Sequence, residues 1–179
     1  MSSYNVSTRY AMALIELAEE KNIYDKVIED IQTVYNTLKD SRELRVYLSS
    51  PVLSEEKKKE ILSAIFDNYV GTDVSSFLSF VVDKGRIDLL DEITKRVLEI
   101  NDEKQNIADL TLKSVVELDD TQTQKIKDAF KEFTGKKIRF KNVVDESIIG
   151  GFVAQVKDTV YDASVKHQLK RLKETLTSN

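Results

Sequence analysis

Apolar residues recur every three or four positions from Val6 to Ile100, then switch to alternation, dividing the chain into a helical first part and a mixed second part. Val6, Tyr10, Leu14, Leu17 and Ala18 form a first helical stripe, widened by Ala11 and Ile15. After Lys21 and Asn22, a second stripe runs through Ile23, Val27, Ile31, Val34 and Leu38. Asp40-Ser41-Arg42-Glu43 resembles a capping box that starts a short third helix through Leu48. Pro51 stops it, because the residue before a proline disfavours the helical region. Ser54, followed by Glu55 and Glu56, predicts the N-terminus of a fourth helix carrying Ile61, Leu62, Ile65, Phe66 and Tyr69. Asp73 is the expected cap of a fifth, with Val74, Phe77, Leu78, Val81 and Val82 inside and Gly85 just beyond its end. Leu90, Ile93, Val97 and Ile100 stripe a sixth. Six helices with short loops make an all-α bundle.

Beyond the polar stretch Asn101–Asn106 the period changes. Leu110 and Leu112 alternate with Thr111 and Lys113, predicting a strand. Asp119 and Gln122 mark a new helix bearing Ile126, Ala129, Phe130 and Phe133, closed by Gly135. Lys137 to Lys141 alternates cleanly, as does Phe152 to Lys157, and Val165, Leu169, Leu172 and Leu176 stripe a terminal helix. Gly150 and Gly151, two of only five glycines, stand between alternating runs, a sign of close backbone approach. The expected fold is α plus α+β: a six-helix bundle over residues 1–105, then a small α+β domain over 106–179 ordered strand, helix, strand, strand, helix. Such a small domain has a thin core. It is expected to be the less stable of the two and to gain order when its terminal helix binds a partner.

Composition removes most chemistry. Without cysteine, disulfides and thiolate metal sites are excluded, and a single histidine makes a zinc site untenable. The formal charge of -4 argues against a general nucleic-acid binder, although Lys136, Lys137, Arg139, Lys141, Lys166, Lys170, Arg171 and Lys173 make the second part locally basic. An RNA-binding module and an unrelated helical adaptor are the alternatives that this leaves. The glycines lack the spacing of a phosphate-cradling loop. His167 has no thiol to pair with, and it lacks the Glu three residues before it that a carboxylate-bridged metal bundle requires. Carboxylates such as Glu16, Glu19 and Glu20, or Glu55, Glu56 and Glu60, read as solvated helix faces. Catalytic, cofactor-binding and metal-ligating residues are therefore expected to be absent. No run approaches a membrane span, and the first residues read as neither a signal nor a transit sequence. Arg86, beside Gly85, is placed to pin loop carbonyls or an acidic partner.

Several segments together resemble one family. Arg9-Tyr10-Ala11 with Ala13-Leu14, Leu48 to Val52 around Pro51, and Phe77-Leu78 with Phe80, Gly85-Arg86 and Leu89-Leu90 carry the resemblance in the first part. In the second it is carried by Val144-Asp145 through Gly150-Gly151-Phe152, then Asp162, Ser164-Val165, Gln168-Leu169 and Leu172. The pattern is similar to the δ subunit of bacterial F-type ATP synthases, whose mitochondrial counterpart is the oligomycin sensitivity-conferring protein. It departs at Ala163, where a glycine is common, and at Gln155, where a basic or apolar residue is usual.

The resemblance implies a non-catalytic stator subunit, monomeric within the complex and peripheral on the cytoplasmic face of the bacterial membrane, that resists rotor torque during proton-driven ATP synthesis. It implies that the bundle receives the amphipathic N-terminal helix of an α subunit of the catalytic head, between its first and fifth helices, and that the second domain grips the b subunits of the peripheral stalk. Tyr10, Ala11, Leu14, Phe77, Phe80 and Val81 are the expected groove residues. Val165, Leu169, Leu172 and Leu176 are expected at the stalk end, part of the stripe packing on its own sheet, with Gly85, Arg86, Asp145, Gly150 and Gly151 structural. The residues agree with helix-in-groove recognition: the first and fifth helices carry more apolar surface than one core accepts, and Ala11, Ala13 and Ala18 keep the first helix slim.

Overall fold

A computed structural model describes residues 3–156 and 159–177, with the side chains of 176 and 177 outside the description. The chain divides into two compact units, Met1–Asn101 and Asp102–Asn179.

The first unit is helical: α1 (Ser3–Glu20), α2 (Tyr24–Asp40), α3 (Arg42–Ser49), α4 (Glu55–Phe66), α5 (Thr72–Asp83), a 3-10 turn (Ile87–Leu89), and α6 (Leu90–Lys104), whose last residues enter the second unit. One core takes Ala11, Leu14, Ile15 and Ala18 from α1, Ile31, Val34 and Leu38 from α2, Leu78, Val81 and Val82 from α5, and Ile93 and Val97 from α6. The helix ends follow local chemistry. After α5, Gly85 adopts φ 61°, its N–H donating to the Val82 carbonyl (2.8 Å) and the Arg86 N–H to Val81 (3.0 Å), which is a Schellman closure. The Arg86 backbone amide, rather than its exposed guanidinium, closes the helix. Asn22 at φ 55° ends α1 in the same way, with the Ile23 N–H on the Ala18 carbonyl (2.9 Å).

Two expected caps move. Asp40 is the last residue of α2, and Ser41 caps α3 by accepting from the Leu44 N–H (3.2 Å). At α5 the N-cap is Gly71, which has no side chain to offer; Asp30 of α2 accepts its N–H at 2.7 Å. Asp73 instead lies in the first turn and pairs with Lys21, just beyond the end of α1. Sequence proximity favoured Asp73, but the tertiary fold delivers a carboxylate from 41 residues away.

The second unit comprises β1 (Ile107–Ser114), α7 (Asp120–Thr134), β2 (Lys137–Val144), β3 (Phe152–Val156), β4 (Thr159–Asp162) and α8 (Val165–Thr177). The sheet order is β2-β1-β3-β4, with β1 and β2 parallel across α7 and the other pairs antiparallel. Mixed pairing follows from chain length: a parallel neighbour needs the helical crossover, while β3 and β4 are close enough to pair directly. Strand β4 goes beyond the three expected strands; its four residues are too few to show a period. Lys157, expected in the third strand, lies outside the described residues. Asp119 and Gln122 form a complete capping box on α7. Alternate β1 residues, Leu110 and Leu112, point under α7 and meet Ala154, with Ile126, Phe130, Ile138 and Phe140 around them.

Candidate functional site

Two apolar recesses stand out, one in each unit. In the first, α1 and α5 leave a groove of about 330 Å³ between them. Its walls are Tyr10, Ala13 and Leu17 from α1 and Ser76, Phe77 and Phe80 from α5, over a floor formed by Leu14. The Tyr10 and Phe80 rings sit 6.1 Å apart at one end, with the Lys84 ammonium 5.3 Å from the Phe80 ring centre. The Lys21–Asp73 ion pair closes the other end. The two helices therefore run antiparallel along an apolar trough with charged ends.

Helix period explains which expected residues reach this trough. Successive residues turn by about 100° around a helix, so positions 10, 13, 17 and 21 form a stripe beside the core stripe of 11, 14, 15 and 18. On α5, 73, 76, 77 and 80 likewise flank the core stripe of 74, 78, 81 and 82. Tyr10 and Phe77 are half-buried in the groove wall, and Phe80 is 47% exposed. Ala11 and Val81, expected on the groove, are wholly buried in the core and do not line it. Ala18 is buried too, so of the three small residues only Ala13 thins the wall that faces the groove. Leu17 was not expected there; its place four residues before Lys21 on the same stripe is the signal that finds it.

In the second unit, Ala129, Phe130 and Phe133 of α7 and Phe152 and Tyr161 of the sheet line a recess of about 410 Å³. Tyr161 meets both phenyl rings edge-on, at 5.8 and 5.7 Å, an arrangement the ring quadrupoles favour. This recess escaped the sequence reading because Tyr161, whose ring meets both phenyl rings, comes from β4. Next in the chain, α8 shows its apolar stripe to solvent: Val165 is exposed, Leu169 is 60% exposed and Leu172 57%. The expectation that part of this stripe packs on its own sheet fails for these three, although Val165 does reach Gly150, where an added Cβ would meet Cγ2 at 3.1 Å. The side chain of Leu176 lies outside the described residues.

The glycine pair sets where α8 begins. Gly151 has φ 77°, and a Cβ there would stand 2.4 Å from the Ala163 carbonyl oxygen. That close approach lets Ala163 N–H donate to Phe152 (2.9 Å) and Val165 N–H to Gly150 (2.9 Å). Asp162 accepts the Ser164 N–H at 2.9 Å, and Ser164 Oγ accepts the His167 N–H at 3.2 Å. Hydrogen bonds from Ser164 hold the Asp162 carboxyl below the usual carboxylate range, and those from Ser147 do the same for Asp145. Asp145 thereby shapes the turn after β2, its own N–H donating to the Ser114 carbonyl (2.8 Å). His167 sits in the first turn of α8 with Nδ1 3.8 Å from Asp162, a local contact without a nucleophile.

Both recesses are apolar and open, suited to protein side chains rather than to bond-making chemistry. The family described as ATP synthase delta (OSCP) subunit matches residues 6–176. ATP synthase subunit delta of Chloroherpeton thalassium is 35% identical over 97% of this chain and 94% of its own length. That of Chlorobaculum parvum is 38% identical over 98% and 97%. Among solved structures, a chain of the cryo-EM structure of the Toxoplasma gondii mitochondrial ATP synthase hexamer superposes with a TM-score of 0.70 at 26% identity, covering 96% of this chain and 97% of that one. By motif, by whole-length identity and by fold, this chain belongs to the ATP synthase delta (OSCP) subunit family.

Proposed function

We propose that this stator subunit works as a two-ended tether, its six-helix bundle holding the N-terminal helix of an α subunit of the catalytic head in the α1–α5 groove, and its second unit holding the b subunits of the peripheral stalk. The trough between α1 and α5 carries this reading, because it offers aromatic anchors over an apolar floor. An amphipathic helix lays its apolar face into such a groove through anchors one helical turn apart. Tyr10, Phe77 and Phe80 are the anchors, since aromatic side chains in pockets dominate binding energy. At the other end, Val165, Leu169 and Leu172, with Leu176 next in the stripe, form the stalk-facing side of α8.

Function here is mechanical. A load-bearing contact needs slow dissociation, which buried apolar packing supplies better than rim charge. The subunit does no bond-breaking of its own; it holds the head still while the rotor turns. No helix among the described residues is long and apolar enough to cross a membrane. In this reading the subunit sits at the cytoplasmic face of the membrane through its partners, as one copy per complex.

The direct test titrates the full chain with a peptide of the α-subunit N-terminus. Saturable one-to-one binding that perturbs amides of α1 and α5 is expected. Binding that leaves those helices unperturbed, or no binding at all, would remove the groove assignment.

A further inference from the structure

Arg139 stands on β2 with its guanidinium between carboxylates from two different elements. Nη2 and Nη1 donate to the two oxygens of Asp102 at 2.6 and 3.1 Å, while Nε and Nη2 donate to those of Asp109 at 2.5 and 2.9 Å. Asp109 is its register partner on the parallel strand β1. Asp102 lies in the last turn of α6, and its side chain is the most enclosed of the three. The two carboxylates make the guanidinium still harder to deprotonate than usual.

The backbone fastens the same place. Asn106, at φ 56°, turns the chain out of α6 with its N–H on the Glu103 carbonyl (3.2 Å). Its own carbonyl accepts the Lys137 N–H (2.9 Å), and its side-chain amide donates to the Gly135 carbonyl (3.3 Å). All of these partners belong to the second unit. Earlier turns of α6 bury Leu90, Ile93, Val97 and Asn101 in the first. Chains usually cross between compact units through a flexible polar linker. The stretch Asn101–Asn106 has a linker's composition, yet it is helical to Lys104 and tied to β2 immediately afterwards.

We propose that Arg139 is a positioning residue that splices the last turn of α6 to the β1–β2 pair of the second unit, so that residues 102–104 are held helical against the sheet. A planar fork is required, because only a guanidinium holds two carboxylates in fixed directions at once. Without it, Asp102 and Asp109 face each other uncompensated, and the last turn of α6, where four carbonyls lack intrahelical donors, frays.

The test uses the full chain on its own, following hydrogen exchange at amides 102–106 and tryptic cleavage after Lys104, an exposed residue at the crossing. Arg139→Gln should speed both several-fold, up to about tenfold for a half-exposed charge cluster. Arg139→Lys should not restore the wild-type rates. Asp102→Asn, which breaks only the helix arm, should reproduce most of the effect, whereas Asp109→Asn should change the junction by less than about twofold. If Asp109→Asn is the more damaging, or if the faster exchange lies in β1 and β2 with 102–106 unaltered, Arg139 merely stabilises the strand pair and the splice is wrong. Should Arg139→Gln fail to fold, Asp102→Asn alone decides. These measurements need no partner, so their failure leaves the docking groove untouched, and failed peptide binding leaves the splice untouched.

Discussion

The first unit encloses most of its large apolar side chains, and the second leaves a large share of its own outside. In the bundle, stripes from α1, α2, α4, α5 and α6 meet in one core, where Leu14, Ile31, Phe66, Leu78 and Ile93 are all but inaccessible. In the second unit the fully enclosed cluster among the described residues is Leu110, Leu112 and Ala154, while Phe133, Ile149, Val160, Leu169 and Leu172 face solvent. A sheet covered by one helix on one face cannot bury more. The lesson is one of division of labour. The bundle has a deep core with an apolar groove open between α1 and α5, and the second unit is a small scaffold with a thin buried core.

The sharpest way to break this comparison is to remove a methyl-rich side chain from the thinner core. Leu112→Ala should cost about 2–5 kcal/mol, enough to melt a domain with so small a core while leaving the bundle folded. Hydrogen exchange on the variant should show protection lost across β1–β3 and kept in α2 and α5. Protection falling equally in both units would mean that the chain unfolds as one body and that the asymmetry has no thermodynamic content.

Next comes the glycine pair. Gly151→Ala forces a side chain into left-handed backbone and against the Ala163 carbonyl, so about 3 kcal/mol is expected, at the upper end of local strain. Gly135→Ala shares the positive φ but meets nothing within 4 Å, and should cost only about 1 kcal/mol. Thermal melts showing the two substitutions equal would mean that the contact between the strand turn and the start of α8 does not matter.

How much of this was legible beforehand differs between the units for a physical reason. The helices of the first unit announce themselves because each is long enough to show several turns of its stripe. The helix-closing glycines, Gly85 and Gly135, were equally readable, since an apolar stripe followed by glycine has a local cause. What stayed hidden was the sorting of apolar residues within one helix. Val81 and Phe80 are neighbours of similar hydrophobicity, and only the packing of α5 decides that the first fills the core and the second the groove. The Asp30 cap on Gly71 was hidden for another reason, because nothing near Gly71 in the chain hints at it. Strand β4 and the aromatic recess beneath Tyr161 depend on a pairing partner rather than on a period, and which residues of the α8 stripe pack on the sheet and which face the stalk end was not legible because one amphipathic stripe serves either role.

The sorting of α1 and α5 yields a binding prediction of intermediate size. Phe80→Asp places a charge on the groove wall without entering the core, so the melting curve should hold. Affinity for the α-subunit peptide should fall at least tenfold, about 1.4 kcal/mol or more, as for loss of an aromatic anchor. Leu14→Asp is the contrasting change: Leu14 is 2% exposed, and burying an unpaired carboxylate there should unfold the bundle outright. Calorimetric titration together with a melt distinguishes them. A Phe80→Asp protein that folds and binds normally would take Phe80 out of the interface.

The smallest expected effect concerns acid, and it again separates the units. Asp145 and Asp162 are both held below the usual carboxylate range by hydrogen bonds, chiefly from Ser147 and Ser164 respectively, and both lie in the second unit. For a carboxyl whose folded pKa is depressed, the unfolded chain binds the proton first, so its contribution is complete above the unfolded value of about 3.9 and fades as pH falls through the folded one. Stability of the second unit should therefore be flat, as far as these groups decide it, from neutral pH down to about 5, and should decline below about 4. Because both side chains are solvent-exposed, water competes for the same hydrogen bonds and the change is modest. It should be seen first at the start of α8, where protonated Asp162 holds the Ser164 amide less well. Carboxyl titrations by NMR that put Asp162 at or above its ordinary value would reverse the sign, and acid would then loosen that helix start by some route other than this carboxylate.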